Sequence, residues 1–200
     1  YCSYVIQSDS VLGIMNTVMG TASVPGMLLA PLLAKKIGKR NCLIAFNVMR
    51  AVFAALMLFT ANSPVLFLAS LYIATLATGG DAVLTSAITA DIFDYQQWKT
   101  GKRLEGFITQ FGGMLVTAAS MGSAFILPYF YRHYGLGTNY DVLYDSAVRT
   151  PIFNIIIITT VISCLLTVIP MLFYDMTEKK QQQIIEDLKQ RAEEKNANEV

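Results

Sequence analysis

The chain has 200 residues, of which 54% are hydrophobic and 14% charged, and its net charge is +1. The net charge alone gives no information on partners, and no nucleic-acid partner is expected. The single histidine excludes a histidine-pair metal site, and the three cysteines lie in or beside apolar stretches, which do not indicate a disulfide framework. No cofactor is expected.

Five apolar stretches dominate the sequence, and each is close to the roughly 20 residues that a helix needs to cross a bilayer. They are Val11–Ala34, Asn41–Thr60, Val65–Ala90, Gly106–Tyr131 and Thr150–Tyr174. Apolar and polar residues do not alternate strictly within them, which excludes a transmembrane barrel and leaves the helix as the spanning structure. The sequence therefore predicts an all-α, polytopic helix bundle embedded in a lipid bilayer.

Lysines and arginines collect on alternate sides of these spans. The loops after the first and third spans and the tail hold most of them, whereas the opposite loops hold only Arg132 and Arg149. Because basic loops stay on the cytoplasmic side, this pattern predicts a multi-pass protein of the plasma (inner) membrane with a cytoplasmic C-terminus.

The two ends of the chain differ from the spans. Residues Tyr1–Gln7 are interpreted as the outer end of an earlier helix, so the chain is expected to be a C-terminal fragment with a membrane bundle over 1–174. The polar stretch 175–200 is predicted to be a cytoplasmic tail with a short helix. Two interpretations of that helix stay open: a solvated tether, or a helix that covers the membrane surface or a gate.

Two charged residues lie inside predicted spans, where a charge is costly and marks a site unless a partner explains it. Arg50 and Asp81 are each nine residues from the cytoplasmic end of their span, about 13 Å deep at 1.5 Å per residue. They are candidates for an intramembrane ion pair. Alternatively, Asp81 faces a watery cavity together with Thr78 and Thr85, which share its side of the helix. There its carboxylate would belong to the substrate or cation path, by accepting a hydrogen bond from a hydroxyl of the solute or by binding a coupling cation. Both interpretations stay open.

Weaker candidates for the solute path lie on other spans. Gln110 and Thr117 share a face of the fourth span, and Asn16 is the residue of the first span most suited to touch a solute. Small and hydroxylated residues also serve close helix packing in membranes, which is the competing interpretation for these positions.

The connection between the third and fourth spans carries opposite charges at a membrane boundary. Asp91 and Asp94 are three residues apart and would share one face of a continuing helix. Arg103 is expected to return close enough to pair with these carboxylates, and Trp98 suits the headgroup region.

The residue order Asp-x-x-Asp-Tyr-x-x-Trp-Lys-x-Gly-x-Arg-x-Glu over 91–105 closely resembles the signature loop of the glycoside-pentoside-hexuronide:cation symporters. These melibiose-carrier-like proteins belong to the major facilitator superfamily. Residues 31–40 and 174–188 resemble two further segments of that family. The resemblance implies the C-terminal half of a major-facilitator fold, with helices VIII to XII and the end of helix VII, whose partner is a missing N-terminal six-helix bundle.

The resemblance also implies a function. It is cation-coupled symport of a glycoside, oligosaccharide or related sugar by alternating access, with Na⁺ or H⁺ as the coupling ion. Asp91, Asp94, Lys99 and Arg103 are implied to form cytoplasmic gating contacts. Thr117 stands where melibiose-type carriers have a lysine, which indicates a different solute or a different coupling.

Other functions stay in view beside this one. They are a major-facilitator carrier for a lysolipid or drug-like solute, and a non-transporting, receptor-like membrane protein. An enzyme would need a nucleophile, a base or a metal cluster within the spans, and the sequence offers one buried carboxylate there. The chain is therefore not expected to be an enzyme.

Overall fold

The computed structural model describes residues 9–61, 63–136 and 140–198. Within these ranges the regular elements are six α-helices and one 3₁₀ turn, with no strand, which confirms the all-α prediction. The helices are α1 (Asp9–Ile37), α2 (Lys39–Thr60), α3 (Pro64–Thr100), α4 (Glu105–His133), α5 (Ser146–Leu172) and α6 (Glu178–Asn198), and the 3₁₀ turn covers Tyr140–Tyr144. The predicted end of an earlier helix at Tyr1–Gln7 lies outside the described residues.

Helices α1 to α5 are each long and apolar enough to cross a membrane. The exceptional one is α3, whose 37 residues extend about 55 Å, well beyond the roughly 30 Å of the hydrocarbon core. The predicted span ends at Ala90, and the helix continues ten residues beyond it because no glycine or proline follows until Gly101. There the backbone turns left-handed at φ 71°, and the amide of Gly101 donates to the Gln97 carbonyl at 2.8 Å.

Helices α1 and α3 touch through their backbones. A Cβ atom added to Gly79 would lie 2.1 Å from the Ser23 carbonyl oxygen, and one added to Gly26 would lie 1.9 Å from the Leu76 carbonyl oxygen. Only glycine leaves room for such an approach, which is a common way for membrane helices to associate. These two glycines therefore set the distance between the helices.

Helix α2 packs against α1 and α3 on one side and against α5 on another. The shared core consists of the buried residues Ala30, Cys42, Leu43, Phe46, Ala77, Leu84 and Ile88. Helix α4 differs from its neighbours, since none of its most apolar stretch is buried within the described structure. Its side chains therefore form surface.

Helix α6 packs against the far end of α3. Two of its residues, Gln181 and Ile184, are 6% and 3% exposed. The tail helix is thus docked on the end of the bundle. We call this end, where α1, α3 and α5 finish and α2 begins, the α6 end.

Candidate functional site

Asp81 lies half-buried in the middle of α3 and is held by α2. Its Oδ1 accepts a hydrogen bond of 2.7 Å from Nδ2 of Asn47, which also donates to the Leu43 carbonyl at 3.1 Å. A charge in a span costs roughly 3 kcal/mol, and a hydrogen bond to a charged group contributes about 1.5 to 3 kcal/mol. Asn47 therefore offsets much of the cost of placing this carboxylate in the membrane.

The expected direct ion pair between Arg50 and Asp81 does not form. The ion pairs within 4.0 Å among the described residues are Lys39–Asp91, Arg103–Glu105 and Lys180–Asp175. Arg50 does lie in the same region, since it and Asp81 are both within electrostatic range of the Cys164 thiol. The physical reason is that Asn47, one turn before Arg50 on α2, occupies the nearer position at the carboxylate.

A polar face of α3 beside Asp81 is open. Thr78 and Thr85 are exposed, as are Ala82 and Ser86 between and beside them. The Thr78 hydroxyl donates to the Ala74 carbonyl at 3.1 Å, which leaves its oxygen free to accept a further hydrogen bond. Asp81 lies at the edge of this face and points to α2, so the threonines and the carboxylate are neighbours that face different surroundings.

The remaining solute-path candidates are also exposed. Asn16 lies on α1, and Gln110 and Thr117 lie on α4. The hydroxyl of Thr117 donates back to the Gly113 carbonyl at 2.9 Å. These side chains are thus available to a ligand or to another part of the protein.

The α6 end contains a second polar cluster, centred on Asp91. This residue is 6% exposed, and Nζ of Lys39 contacts both of its carboxylate oxygens, at 2.7 and 2.6 Å. The sequence-based expectation that Arg103 pairs with Asp91 was wrong. Arg103 instead pairs with Glu105, two residues away, at 2.6 Å, because α3 runs ten residues past Ala90 and carries the Arg103 loop away from Asp91.

The hydrogen bond with Glu105 and the charge of that carboxylate raise the pKa of Arg103. Both partners are substantially exposed, which makes the pair weak. Lys99 lies nearby on the last turn of α3, with Nζ 5.9 Å from the centre of the Tyr95 ring. Of the four residues implied in gating, Lys99 and Arg103 are the exposed ones.

Helix α6 reaches into the Asp91 cluster through Glu178. Its Oε1 accepts a hydrogen bond of 2.7 Å from the backbone amide of Lys39, the first residue of α2. A carboxylate at this position satisfies an otherwise free helix amide and complements the helix dipole. Gly38 before it has φ 87° and makes no side-chain cap of its own, so Glu178 caps α2 from the tail.

Tyr174 packs beneath these groups. Its hydroxyl is buried and has no hydrogen-bond partner among the described residues. Burial, together with the nearby charges of Asp91 and Glu178, raises the pKa of Tyr174 to about 12. The phenol therefore stays neutral at physiological pH.

The rest of α6 binds the end of α3 through polar contacts. Nε2 of Gln181 donates to Oδ2 of Asp94 at 3.0 Å, and the Trp98 indole donates to Asp187 at 2.9 Å. Arg191 in turn donates to the Trp98 carbonyl at 2.9 Å. Asp94, like Asp91, is thus held by a partner within this chain.

A half-open cavity of about 240 Å³ lies in this cluster. It is lined by Lys39, Asp91, Met176, Thr177, Glu178, Gln181, Gln182 and Ile185. The described residues contain no group of three or more metal-ligating side chains. The lining of the cavity combines one ammonium group, that of Lys39, with carboxylates and amides, and this ammonium is already bound to Asp91.

Sequence reasoning missed several residues that organise the two sites. Asn47 gave a usable signal, because an amide in an apolar span needs a partner. Glu178 and Gln181 gave none, since they stand in a tail where glutamate and glutamine are common.

Comparison with known proteins identifies the family of this chain. The chain matches the family described as "MFS/sugar transport protein" over residues 1–178. It is 29% identical over 203 residues to the "Putative sulfoquinovose importer" of Escherichia coli (strain K12), which covers all of this chain and 42% of that protein. It is 29% identical over 107 residues to the "Isoprimeverose transporter" of Lactiplantibacillus pentosus, which covers 52% of this chain and 22% of that protein.

The chain spans less than half the length of both curated relatives. The family and these relatives are transporters, not enzymes, and the family match confirms the resemblance inferred from residues 91–105. The matched region contains all five helices that are long enough to cross a membrane. The chain is a multi-pass membrane protein that belongs to the MFS/sugar transport family.

Proposed function

We propose that this chain is the C-terminal half of a secondary active transporter that carries a glycoside or related sugar together with Na⁺ or H⁺ by alternating access. The observation that carries the proposal is the exposed polar face of α3 in a chain of a sugar-transport family. The names of both relatives, a sulfoquinovose importer and an isoprimeverose transporter, support a sugar as the solute.

The proposed sugar contacts are Thr78 and Thr85 on α3, Asn16 on α1, and Gln110 and Thr117 on α4. Hydroxyl and amide groups bind a neutral polyol by donating and accepting hydrogen bonds without a charge to desolvate. The missing six-helix bundle supplies the opposite wall of the cavity in this proposal. It also supplies the carboxylates for the coupling ion, since Asp81 is already engaged by Asn47.

The proposed gate lies at the α6 end, which faces the cytoplasm of a plasma-membrane carrier. Asp91 and Asp94 have partners in their own half, Lys39 and Gln181. Lys99 and Arg103 are exposed at the same end. Ion pairs at a partly wet surface are individually weak, so the gate can exchange such partners with the other half as the carrier rocks.

The test is uptake by the complete carrier in proteoliposomes under an imposed Na⁺ or H⁺ gradient, with sulfoquinovose and isoprimeverose as the first solutes. Thr78→Val and Thr85→Val should each raise the apparent KM about tenfold, the loss expected for one hydrogen bond worth about 1.4 kcal/mol. Thr167→Val is the matched control, because Thr167 is an exposed threonine on α5 whose hydroxyl also donates to its own helix.

Gradient-independent uptake would remove the coupling from the proposal. Uptake of a lysolipid or drug-like solute with no sugar transport would replace the solute class. Binding without any transport would instead indicate a receptor-like protein. An equal KM in the three valine variants would remove the α3 face from the solute path.

A further inference from the structure

One buried polar residue has no part in the proposed sugar contacts or the gate. Asn47 is 2% exposed and lies in the middle of α2. It joins α2 to α3 through its hydrogen bond of 2.7 Å to Asp81. A hydrogen bond between an amide and a carboxylate is directional and charge-assisted.

Other contacts of α3 set its distance from neighbouring helices and also oppose its rotation. Gly79 meets the backbone of α1 at Ser23, and the tip of the Phe46 ring on α2 enters the space beside Gly80. At the α6 end, the Lys39–Asp91 ion pair also joins α2 to α3. The Asn47–Asp81 bond is a directional contact between α2 and α3 at the depth of Thr78 and Thr85.

Asp81 stands at the boundary between the packed and the open face of α3. At 100° per residue the two threonines lie on opposite sides of Asp81 around the helix, Thr78 about 60° in one direction and Thr85 about 40° in the other. Both threonines are exposed, whereas Ala77, Gly80 and Leu84 are buried. A turn of α3 large enough to bring the carboxylate to water would carry the two threonines away from their present direction.

We propose that Asn47 is a positioning residue: by holding Asp81 against α2, it sets the rotation of α3 and thereby directs Thr78 and Thr85 into the sugar path. This inference rests on the proposed function for its consequence in transport. The bond to Asp81 is the side-chain contact by which Asn47 reaches α3, since its other hydrogen bond is to the Leu43 carbonyl of its own helix.

The experiment exchanges the two partners in the complete carrier. Asn47→Asp places two carboxylates against each other, whereas Asn47→Asp combined with Asp81→Asn restores an amide–carboxylate pair with its direction reversed. Asn41→Asp is the matched control, because Asn41 is an exposed asparagine of α2 whose side chain bonds only its own helix, at the Ile37 carbonyl.

The readout is the rate at which a water-soluble thiol reagent labels a cysteine placed at Thr78 or Thr85, against the background of the carrier's own cysteines. Asn47→Asp should change the rate at one or both positions about tenfold and the exchanged pair should restore the parent rates, with Asn41→Asp unchanged. Labelling does not require knowledge of the solute, so it tests the position of α3 even if no sugar is transported.

A merely structural bond gives a different result. It would lower the yield and thermal stability of Asn47→Asp, but the surviving protein would label at Thr78→Cys and Thr85→Cys as before. Unchanged labelling in Asn47→Asp overturns the proposal, and so does a failure of the exchanged pair to restore the rates in protein that folds. In transport, Asn47→Asp should raise KM more than it lowers the maximal rate, and the exchange should reverse that change.

Discussion

At the scale of single residues, two carboxylates of α3 have partners of different chemical kinds. Asp81 lies in the middle of a span and is held by an amide, while Asp91 lies at the α6 end and is held by an ammonium. An amide brings no second charge that must lose its water, which suits the deeper position. Lys39 keeps its side chain 31% exposed, so it retains part of its hydration while it pairs.

The Lys39–Asp91 pair is open to a direct test. Lys39→Met leaves Asp91 buried without its counterion, and we expect the protein to lose about 1 to 3 kcal/mol of unfolding free energy. Chemical denaturation of the detergent-solubilised protein measures this loss. Lys36→Met is the matched control, since Lys36 is exposed and three residues away. Equal stability of the two variants would show that the pair contributes nothing.

Tyr174 contributes to the dependence of the protein's stability on pH in the alkaline range. Its pKa is about 12 in the folded protein, against about 10 for an exposed tyrosine. Between these values the unfolded chain loses a proton that the folded chain keeps, so stability falls as the pH rises from about 10 to about 12 and is unaffected by this group below that window. Tyr174→Phe should remove this part of the decline.

The same substitution also removes a buried hydroxyl that has no partner among the described residues. We therefore expect Tyr174→Phe to be at least as stable as the parent at neutral pH. Thermal midpoints at about pH 8 and about pH 11 compare the two proteins, with Tyr140→Phe as the control because Tyr140 is 61% exposed. A parallel decline in all three proteins would contradict the assignment.

At the scale of helices, glycine residues allow α1 and α3 to approach each other closely. Gly26 and Gly79 bring α1 and α3 into backbone contact, and the polar face of α3 is held at a fixed distance from α1 as a result. Gly20, two turns earlier on α1, has no heavy atom within 4 Å of where a Cβ would stand. The two positions therefore separate the effect of packing from the effect of helix propensity.

We expect Gly26→Ala to force the helices apart and to cost about 1 to 3 kcal/mol, since its Cβ would lie 1.9 Å from the Leu76 carbonyl oxygen. Gly20→Ala should be neutral or stabilising by up to about 1 kcal/mol, because alanine is the better helix former. The yield of folded, monodisperse protein and its thermal midpoint report both effects. Similar values for the two variants would argue against the close contact.

The sequence predicted the elements better than their partners. Spans are read from apolar length, and the predicted bounds of α2, Asn41–Thr60, differ from the observed Lys39–Thr60 only at the start. For α3, the charges after Ala90 indicate a membrane boundary, and they do not show where the helix itself ends. Lys39 and Asp91 are 52 residues apart, and no periodicity encodes which lysine the packing brings to that carboxylate.

The same limit explains the candidate site. The polar face of α3 followed from the spacing of its threonines, and the structure leaves Thr78 and Thr85 exposed. Asp81 belongs to the same arc of the helix, yet it faces α2, because spacing gives the angle of a residue and not the identity of the neighbouring helix. The amide of Asn47 decides that direction.

At the scale of the whole molecule, one end of the bundle collects the basic loops. Contacts of Lys39 with Asp91, of Arg40 with the Leu172 carbonyl and of Trp98 with Asp187 join the loops and α6 at that end. The opposite end contains the 3₁₀ turn at Tyr140–Tyr144, which packs against α5. The charge asymmetry therefore coincides with the two ends of the folded bundle.

This asymmetry predicts the orientation in the membrane. In intact cells, a membrane-impermeant thiol reagent should label Tyr140→Cys, and it should label Lys102→Cys only after permeabilisation. The parent carrier supplies the background. The reverse pattern would show that the α6 end faces outward, and the proposed gate would then lie on the external side.

The cap on helix α2 has a consequence for how the protein is made. Glu178 follows Lys39 by 139 residues, so a ribosome completes the span long before it reaches the residue that caps it. The newly inserted helix therefore begins with an unsatisfied amide, which hydrogen-bonds to water until α6 has been synthesised. Proteolytic removal of that segment from the mature protein would return the start of α2 to its nascent condition and would leave every membrane span intact.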